Sequence, residues 1–169
     1  LLYLSEKFNA FLPKNLTKRT EALNWLFWLQ GSAPYLGGGF GHFYSYAPEK
    51  LKYPIDRFTM ETKRQLDVLD KNLTNREFLA GDEYTIADIA SAPWYGALVQ
   101  GTIYNAAEFL DVSSYKNVNR WANAVMSRPA YLRGEIVNRA SGELSGQLHE
   151  RHGSNDIDIK IEAKIIPEK

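Results

Sequence analysis

The feature that most constrains the fold of this chain is a helix start at Thr85. Thr85 is followed three residues later by the acidic Asp88, so each side chain can accept the unpaired backbone N–H of the other, as in a capping box. Tyr84 before the cap and Ile89 inside the helix have the spacing of a hydrophobic staple. Beyond Ile89 the segment is apolar on nearly every face, which indicates a central helix covered by neighbouring helices. A capped helix start by itself is common among unrelated helical proteins.

Two long helices are predicted before this point. The first begins near Thr17, with Thr17 or Asn15 as its cap. Its inward-facing residues are expected to be Leu23, Leu26 and Phe27, with Trp28 as a further candidate. The second begins where Pro48 and Pro54 bracket a helix start and runs to about Asn72, with one apolar stripe at steps of three and four residues. That stripe consists of Ile55, Phe58, Thr62, Leu66, Leu69 and Leu73.

Two more helices are predicted after the Thr85 helix and a turn at Gly101. Ser113 or Ser114 is expected to cap the first of them. Its inner face is expected to contain Tyr115, Val118, Trp121, Ala122 and Val125. Arg128 should end it, because a residue before proline is disfavoured in the helical region, and the next helix should run from Pro129 to about Arg139. Since no hairpin pattern interrupts this region, we predict an all-α fold.

A glycine-rich segment separates the first two helices. Gly31 to Pro34 and the run from Gly37 to Gly41 are expected to interrupt the helical pattern, and Pro34 should kink any helix that persists. A phosphate-binding loop is excluded, because the segment lacks a preceding strand, a Gly-Lys-Ser/Thr ending and the G-x-G-x-x-G spacing. His42 lies among aromatic residues and could line a pocket or pack in a core; the core is favoured.

Gln30 and Arg57 are the polar residues whose position could serve a ligand. Gln30 ends an apolar run, and an amide buried there needs hydrogen-bond partners, which a neighbouring backbone or a ligand could supply. Arg57, like Glu61 and Arg64, lies off the apolar stripe of its helix. A helical arginine is usually solvated or paired with a carboxylate, but its guanidinium would also suit a bidentate contact with a ligand carboxylate. Both alternatives stay open for each residue.

Composition excludes several classes of partner and site. Twenty basic and twenty acidic residues cancel, so we expect neither nucleic acid nor a membrane as a partner. No apolar run approaches the roughly 20 residues of a membrane span, and no signal-peptide pattern is present, so a cytoplasmic protein is predicted. The absence of cysteine excludes a disulfide framework and a protein thiolate. His149-Glu150-Arg151-His152 is one residue short of a zinc motif, so no metal is predicted.

The two ends of the sequence differ from its body. Residues 1–8 read as the end of an earlier domain, because the apolar start lacks an initiator Met and begins as though within a helix. We predict a linker over residues 9–16, a helical domain over residues 17–140 and an extended arm over residues 141–169. Within that arm, residues 156–162 alternate with a period of two, which is typical of a strand.

Three motifs carry a family resemblance. Residues 84–90 (YTIADIA), 115–121 (YKNVNRW) and 127–130 (SRPA) resemble, in order and separation, the C-terminal helical domain of the glutathione S-transferase superfamily. In that resemblance, residues 1–8 correspond to the last helix of the family's thioredoxin-like N-terminal domain. The implied fold is the superfamily's all-α helical bundle.

Further segments resemble the bacterial nu-class branch of that superfamily. These are residues 24–31 (NWLFWLQG), 36–44 (LGGGFGHFY) and 147–152 (QLHERH). The resemblance implies a homodimeric, glutathione-dependent disulfide-bond reductase that holds two glutathione molecules or one glutathione disulfide per subunit. It also implies that Gln30 and Arg57 contact glutathione. The thiolate-activating residues are expected in the thioredoxin-like domain, so no catalytic residue is assigned here and the 169-residue chain alone is expected to be inactive.

Two alternatives to a reductase remain. The same fold could serve as a non-catalytic interaction module, as in regulatory relatives of the superfamily, although the presence of Gln30 and Arg57 argues against this. The chain could also be an unrelated helical binding domain that shares a capping box by chance. A thioredoxin-like unit encoded upstream would exclude that last alternative.

Overall fold

The computed structural model describes residues 1–137 and residue 143, and this part of the chain is helical. Its α-helices are α1 (Leu2–Phe8), α2 (Leu16–Pro34), α3 (Lys52–Asn72), α4 (Ile86–Ser91), α5 (Ala97–Val99), α6 (Lys116–Met126) and α7 (Pro129–Ile136). Two π-helices, π1 (Tyr35–Tyr46) and π2 (Ala92–Gly96), continue α2 and α4. Short 3₁₀ turns lie at Leu73–Asn75 and Val112–Ser114. The described residues form no β-strand beyond an isolated bridge between Phe78 and Gly81, so the all-α prediction is confirmed for them.

The chain divides into two compact units, residues 1–123 and residues 124–169. No helix in the described part has the length and apolar character that a membrane span requires. In the first unit, α1 ends at Asn9, which adopts the left-handed conformation (φ 52°). The following connection is tied to α4, because the backbone N–H of Ile86 donates to the carbonyl of Phe11 at 2.9 Å.

Helix α2 begins as predicted but faces the core differently. Asn15 is the cap, and its Oδ1 accepts the N–H of Lys18 at 3.1 Å. The buried apolar residues are Ala22, Leu29 and Ala33. The prediction that Phe27 faces inward is wrong, since Phe27 is 68% exposed. Successive helical residues are about 100° apart, so the burial of Leu29 turns neighbouring apolar positions toward the surface.

The glycine-rich segment stays helical, contrary to the predicted interruption. Residues 35–46 form π1 directly after Pro34. Glycine is required there for close packing: a Cβ built on Gly39 would lie 2.3 Å from the Phe58 ring, and one on Gly41 would lie 2.5 Å from the Tyr104 ring. His42 is exposed, so the favoured core position is also wrong, and its ring contacts only the edge of the neighbouring Phe43 among the aromatic pairs of this region.

Helix α3 has the predicted bounds and the predicted apolar stripe. Thr62, Leu66 and Leu69 are buried, as is Leu73 just after the helix. The aromatic end of the stripe packs on π1, where the rings of Phe58 and Phe43 stack with centroids 5.6 Å apart. Helix α3 therefore covers the glycine-rich surface of π1.

The predicted capping box is present at the start of α4. The Thr85 hydroxyl accepts the Ala87 N–H, and Asp88 Oδ2 accepts the Thr85 N–H at 2.9 Å. Asp88 Oδ1 also accepts the N–H of Leu79 at 2.9 Å and the indole N–H of Trp121 at 2.8 Å. Asp88 is fully buried, and that burial raises the pKa of its carboxyl against the opposing effect of these donors. One carboxylate thus joins the preceding loop, α4 and α6.

Helix α6 is capped by a different residue from the one predicted. The hydroxyls of Ser113 and Ser114 bind Asp111, so neither serine caps the helix. Instead, Oδ1 of Asp70 on α3 accepts the backbone N–H groups of Asn117 at 2.8 Å and Val118 at 3.1 Å. A carboxylate at a helix N-terminus is favourable both as a hydrogen-bond acceptor and through the helix dipole.

The second unit is described as far as Val137, with residue 143 in addition. Arg128 is extended (φ −64°, ψ 135°), and α7 starts at Pro129 as predicted and ends at Ile136. The predicted strand over residues 156–162 and the histidine pair His149 and His152 lie outside the described residues.

Candidate functional site

Both side chains predicted to bind a ligand are exposed. Gln30 lies near the end of α2, next to the buried Leu29, and its side chain points away from the core. The expectation that this amide is buried is therefore wrong, because the inward face of α2 passes through Leu29 and Ala33. Arg57 lies in the second turn of α3, beside the inward-facing Phe58.

A hydrogen bond joins α2 to α3 and a ring contact joins π1 to α3, and neither involves Gln30 or Arg57. Gln65 Nε2 donates to the carbonyl of Ser32 at 3.3 Å, and the rings of Tyr35 and Phe58 have centroids 6.3 Å apart. Gln65 lies eight residues beyond Arg57, which is about 12 Å along an α-helix. This hydrogen bond between the two helices therefore lies well away from Arg57, and among the described residues no hydrogen bond joins Arg57 to Gln30.

A polar network runs from the surface of α3 into the core. Arg64 forms a bidentate pair with Glu61, with Nε to Oε2 at 2.9 Å and Nη2 to Oε1 at 2.6 Å. Gln65 Nε2 also donates to Glu61 Oε1 at 3.0 Å, and the Tyr95 hydroxyl donates to Gln65 Oε1 at 2.9 Å. Burial raises the pKa of the Tyr95 phenol, so it remains a proton donor. From the sequence, Glu61 and Arg64 are predicted only to lie off the apolar stripe, and Gln65 is not singled out. The spacing of three and four residues between Glu61 and the other two side chains is the signal that predicts such contacts.

On this surface, Arg57 forms no ion pair with another described residue. Arg64 is the main cause of the lowered pKa of Glu61, so this carboxylate is ionised at neutral pH. Asp56, the residue before Arg57, pairs with Lys52. An exposed guanidinium without a carboxylate partner is suited to binding an external carboxylate.

An apolar groove lies elsewhere in the first unit, between α1, the connection after it and α4. Its volume is about 370 Å³, and it is lined by Leu1, Leu4, Ser5, Phe8, Ala10, Phe11, Ile86 and Ile89. The hydroxyl of Ser5 donates within α1 to the carbonyl of Leu2 at 2.8 Å, so it offers no free donor to the groove. This surface suits an apolar protein segment rather than a polar ligand.

No group of three or more His, Asp or Glu residues that could hold a metal ion is found among residues 1–137 and 143. The network of Glu61, Gln65 and Tyr95 contains a single carboxylate that is already neutralised by an arginine.

The chain is similar to known proteins over these same helices. The family model for the C-terminal domain of glutathione S-transferase matches residues 40–129, which include the second part of π1 and all of α3, α4 and α6. The chain belongs to the glutathione S-transferase family. The resemblance predicted from the three sequence motifs is confirmed.

The most informative relatives of this glutathione S-transferase chain are bacterial. Disulfide-bond oxidoreductase YghU of Escherichia coli K12 is 64% identical over 164 residues, which cover 97% of this chain and 57% of that protein. Glutathione transferase YghU from Streptococcus pneumoniae, complexed with glutathione, is 60% identical with a TM-score of 0.80, covering 85% of this chain and 55% of that one. A glutathione transferase from Pseudomonas putida, with one glutathione disulfide bound per subunit, is 35% identical with a TM-score of 0.76, covering 82% and 60%. The chain thus spans a little over half the length of these relatives.

Proposed function

We propose that this chain is the helical part of a glutathione-dependent disulfide-bond reductase. The observation that carries the proposal is the 64% identity to a disulfide-bond oxidoreductase over nearly the whole chain. The relatives crystallised with glutathione and with glutathione disulfide support glutathione as the co-substrate. The sequence contains no cysteine, which fits a reaction in which both reacting thiols come from bound glutathione.

In the proposed reaction the thiolate of one glutathione attacks a sulfur of the substrate disulfide. A glutathione–substrate mixed disulfide forms, and the other substrate sulfur leaves as a thiolate that takes up a proton. The thiolate of a second glutathione then attacks the glutathione sulfur of the mixed disulfide. Glutathione disulfide forms and the second substrate thiol is released, so two glutathione molecules are oxidised for each disulfide reduced. Binding both thiols in one site makes the second attack effectively intramolecular.

We propose that Gln30 and Arg57 of this chain contact glutathione. Each is exposed, and neither side chain makes a hydrogen bond or an ion pair within the described residues. Glutathione presents carboxylates that a guanidinium can bind and amides that pair with a side-chain amide.

The remaining parts of the proposed function lie outside this chain's described residues. The group that stabilises the attacking thiolate is proposed to belong to a thioredoxin-like domain, since the matched part of this chain covers only 57% and 55% of the length of two relatives. We also propose a homodimer and a cytoplasmic location, where the glutathione pool is reduced.

The test is glutathione-dependent reduction of a small model disulfide by the complete protein and its Arg57→Ala variant. The loss of one bidentate contact should weaken glutathione binding, measured by calorimetry, roughly 10- to 100-fold. Stability should change by less than about 0.5 kcal/mol, because the side chain is exposed. Lys52→Ala is the control on the same helix and should bind glutathione like the wild type.

Two results would contradict the proposal. Absence of both turnover and glutathione binding in the complete protein would favour a non-catalytic interaction module. Equal losses of thermal stability and binding in the Arg57→Ala variant would mean that Arg57 supports the fold and not the ligand.

A further inference from the structure

Three charged side chains lie on successive turns of α3: Arg57, Glu61 and Arg64. Residues three and four apart are neighbours on an α-helix, so the single carboxylate is within reach of both arginines. Two ion pairs are therefore possible, but only one of the two guanidiniums can hold the carboxylate in a bidentate pair.

The structure assigns Glu61 to Arg64. Two N–H groups of the Arg64 guanidinium donate to the two carboxylate oxygens, at 2.9 and 2.6 Å. The side chain of Glu61 is only 15% exposed, whereas that of Arg64 is 56% exposed, so the arginine closes over the carboxylate from the solvent side. Planar, bidentate pairs of this kind hold their geometry better than single contacts.

The core side of the same carboxylate is also held. Gln65 donates to Glu61 Oε1 at 3.0 Å, and Gln65 is itself held by the carbonyl of Ser32 and the hydroxyl of Tyr95. To form a bidentate pair with Arg57, Glu61 would have to give up the one with Arg64. Arg57 therefore forms no ion pair with Glu61 among the described residues, although its positive charge contributes to the lowered pKa of that carboxyl.

We propose that Arg64 is a positioning residue of the glutathione site: by holding Glu61, it keeps the guanidinium of Arg57 available for a ligand carboxylate. This inference rests on the proposed function, because it takes Arg57 as the residue that contacts the ligand. Arg64 acts through Glu61 and needs no contact with glutathione.

Removal of Arg64 should consequently weaken a site that it does not touch. In an Arg64→Ala variant, Glu61 loses its two charged donors and becomes a competitor for Arg57 at a spacing of four residues. Because a pair between Arg57 and Glu61, partly shielded from solvent, would compete with the ligand, the affinity for glutathione should fall roughly two- to tenfold. Adding Glu61→Gln to that variant removes the competing charge and should restore affinity to within about twofold of the wild type.

The experiment measures glutathione binding to the complete protein by calorimetry in five forms: wild type, Arg57→Ala, Arg64→Ala, Arg64→Ala with Glu61→Gln, and Lys52→Ala. Lys52 is the matched control for net charge, because it removes one cation from the same helix at five residues from Arg57, while Arg64 is seven residues away. We expect a loss of glutathione affinity in Arg57→Ala and Arg64→Ala, and a recovery of that affinity in the double variant. Lys52→Ala should bind glutathione with wild-type affinity. Thermal melts confirm that each variant is folded at the binding temperature, and Arg64→Lys replaces Arg64→Ala if the latter unfolds.

The outcomes separate this inference from the proposed function. If Arg57→Ala binds glutathione like the wild type, the assignment of Arg57 fails and the role of Arg64 fails with it. If Arg57→Ala weakens binding but Arg64→Ala does not, only the positioning role is refuted. Persistent weakness in the double variant would indicate direct contact by Arg64 or a structural defect. A loss in Lys52→Ala equal to that in Arg64→Ala would indicate a general effect of charge, and each of these two results overturns the inference.

Discussion

Replacement of Gly39 by alanine tests the packing of π1 on α3. The new Cβ would lie 2.3 Å from Cδ1, 2.5 Å from Cε1 and 2.9 Å from Cγ of the Phe58 ring. Ordinary contacts between carbon atoms are about 3.5–4.0 Å, so the ring would have to move by more than about 1 Å. That movement is opposed on one side by Phe43, whose ring stacks on Phe58 with an interplanar angle of 8°.

The expected cost follows from two opposing terms. Overpacking in a filled core costs about 1–3 kcal/mol. A glycine-to-alanine change within a helix returns about 0.5–1 kcal/mol. Gly39→Ala should therefore lower the free energy of unfolding by a net of up to about 2.5 kcal/mol.

Gly38→Ala is the matched control. It lies in the same helix, is exposed, and a Cβ there meets no atom within 4 Å. It should raise the free energy of unfolding by up to about 1 kcal/mol, because only the higher helix propensity of alanine contributes. Subtracting the two variants cancels that term and leaves the packing cost of roughly 1–3 kcal/mol.

The assay is urea denaturation of the complete protein, followed by fluorescence, with comparison of midpoints at unchanged slope. Phe58→Leu in the Gly39→Ala background provides a double-mutant cycle, and it should recover part of the loss if ring and methyl group collide. Equal midpoints for Gly39→Ala and Gly38→Ala would refute the close approach of π1 and α3.

Two further predictions concern buried and half-buried carboxylates. Asp88→Asn replaces one carboxylate oxygen by an amide NH2 group, so the two donors bound to that oxygen lose their acceptor. The free energy of unfolding should fall by roughly 2–4 kcal/mol in urea denaturation, because removal of the buried charge offsets only part of this loss. A change below about 0.5 kcal/mol would mean that Asp88 does not accept these hydrogen bonds. Glu61 has a lowered pKa in the folded protein, so it contributes stability above its ordinary pKa of 4.5, and this contribution is lost as pH falls through the folded value. Glu61→Gln should therefore be less stable than the wild type at pH 7, by under about 1 kcal/mol, and in thermal melts the difference should shrink as the pH falls below 4.5; a difference that does not depend on pH would contradict the contact with Arg64.

Local sequence signals predicted the helix boundaries well. The capping box at Thr85, the cap at Asn15 and the break before Pro129 each depend on side chains within four residues of the boundary. The stripe on α3 was predicted for the same reason, because its period of three to four residues is a property of the helix alone. These features are therefore determined by residues that are adjacent in the sequence.

The features that were not predicted depend on residues far away in the chain. Dense glycine fits a turn as well as a tightly packed helix, and only the aromatic rings of Phe58 and Tyr104 decide between them. Gln30 lies beside an apolar run, but whether it is buried depends on which residues of α2 face its neighbours. The pairing of Glu61 with Arg64 rather than Arg57 required the fixed position of Gln65, which the core supplies.

The capping of α6 by Asp70 has a consequence for the order in which the chain folds. The first turn of α6 takes its acceptor from α3, across 47 residues of sequence, and the nearby serines are engaged with Asp111. An isolated helix of eleven residues is marginal in water, so α6 gains its stable first turn only after α3 has formed and docked. We therefore expect α6 to form after α3, and loss of α3 to remove the acceptor from the first turn of α6.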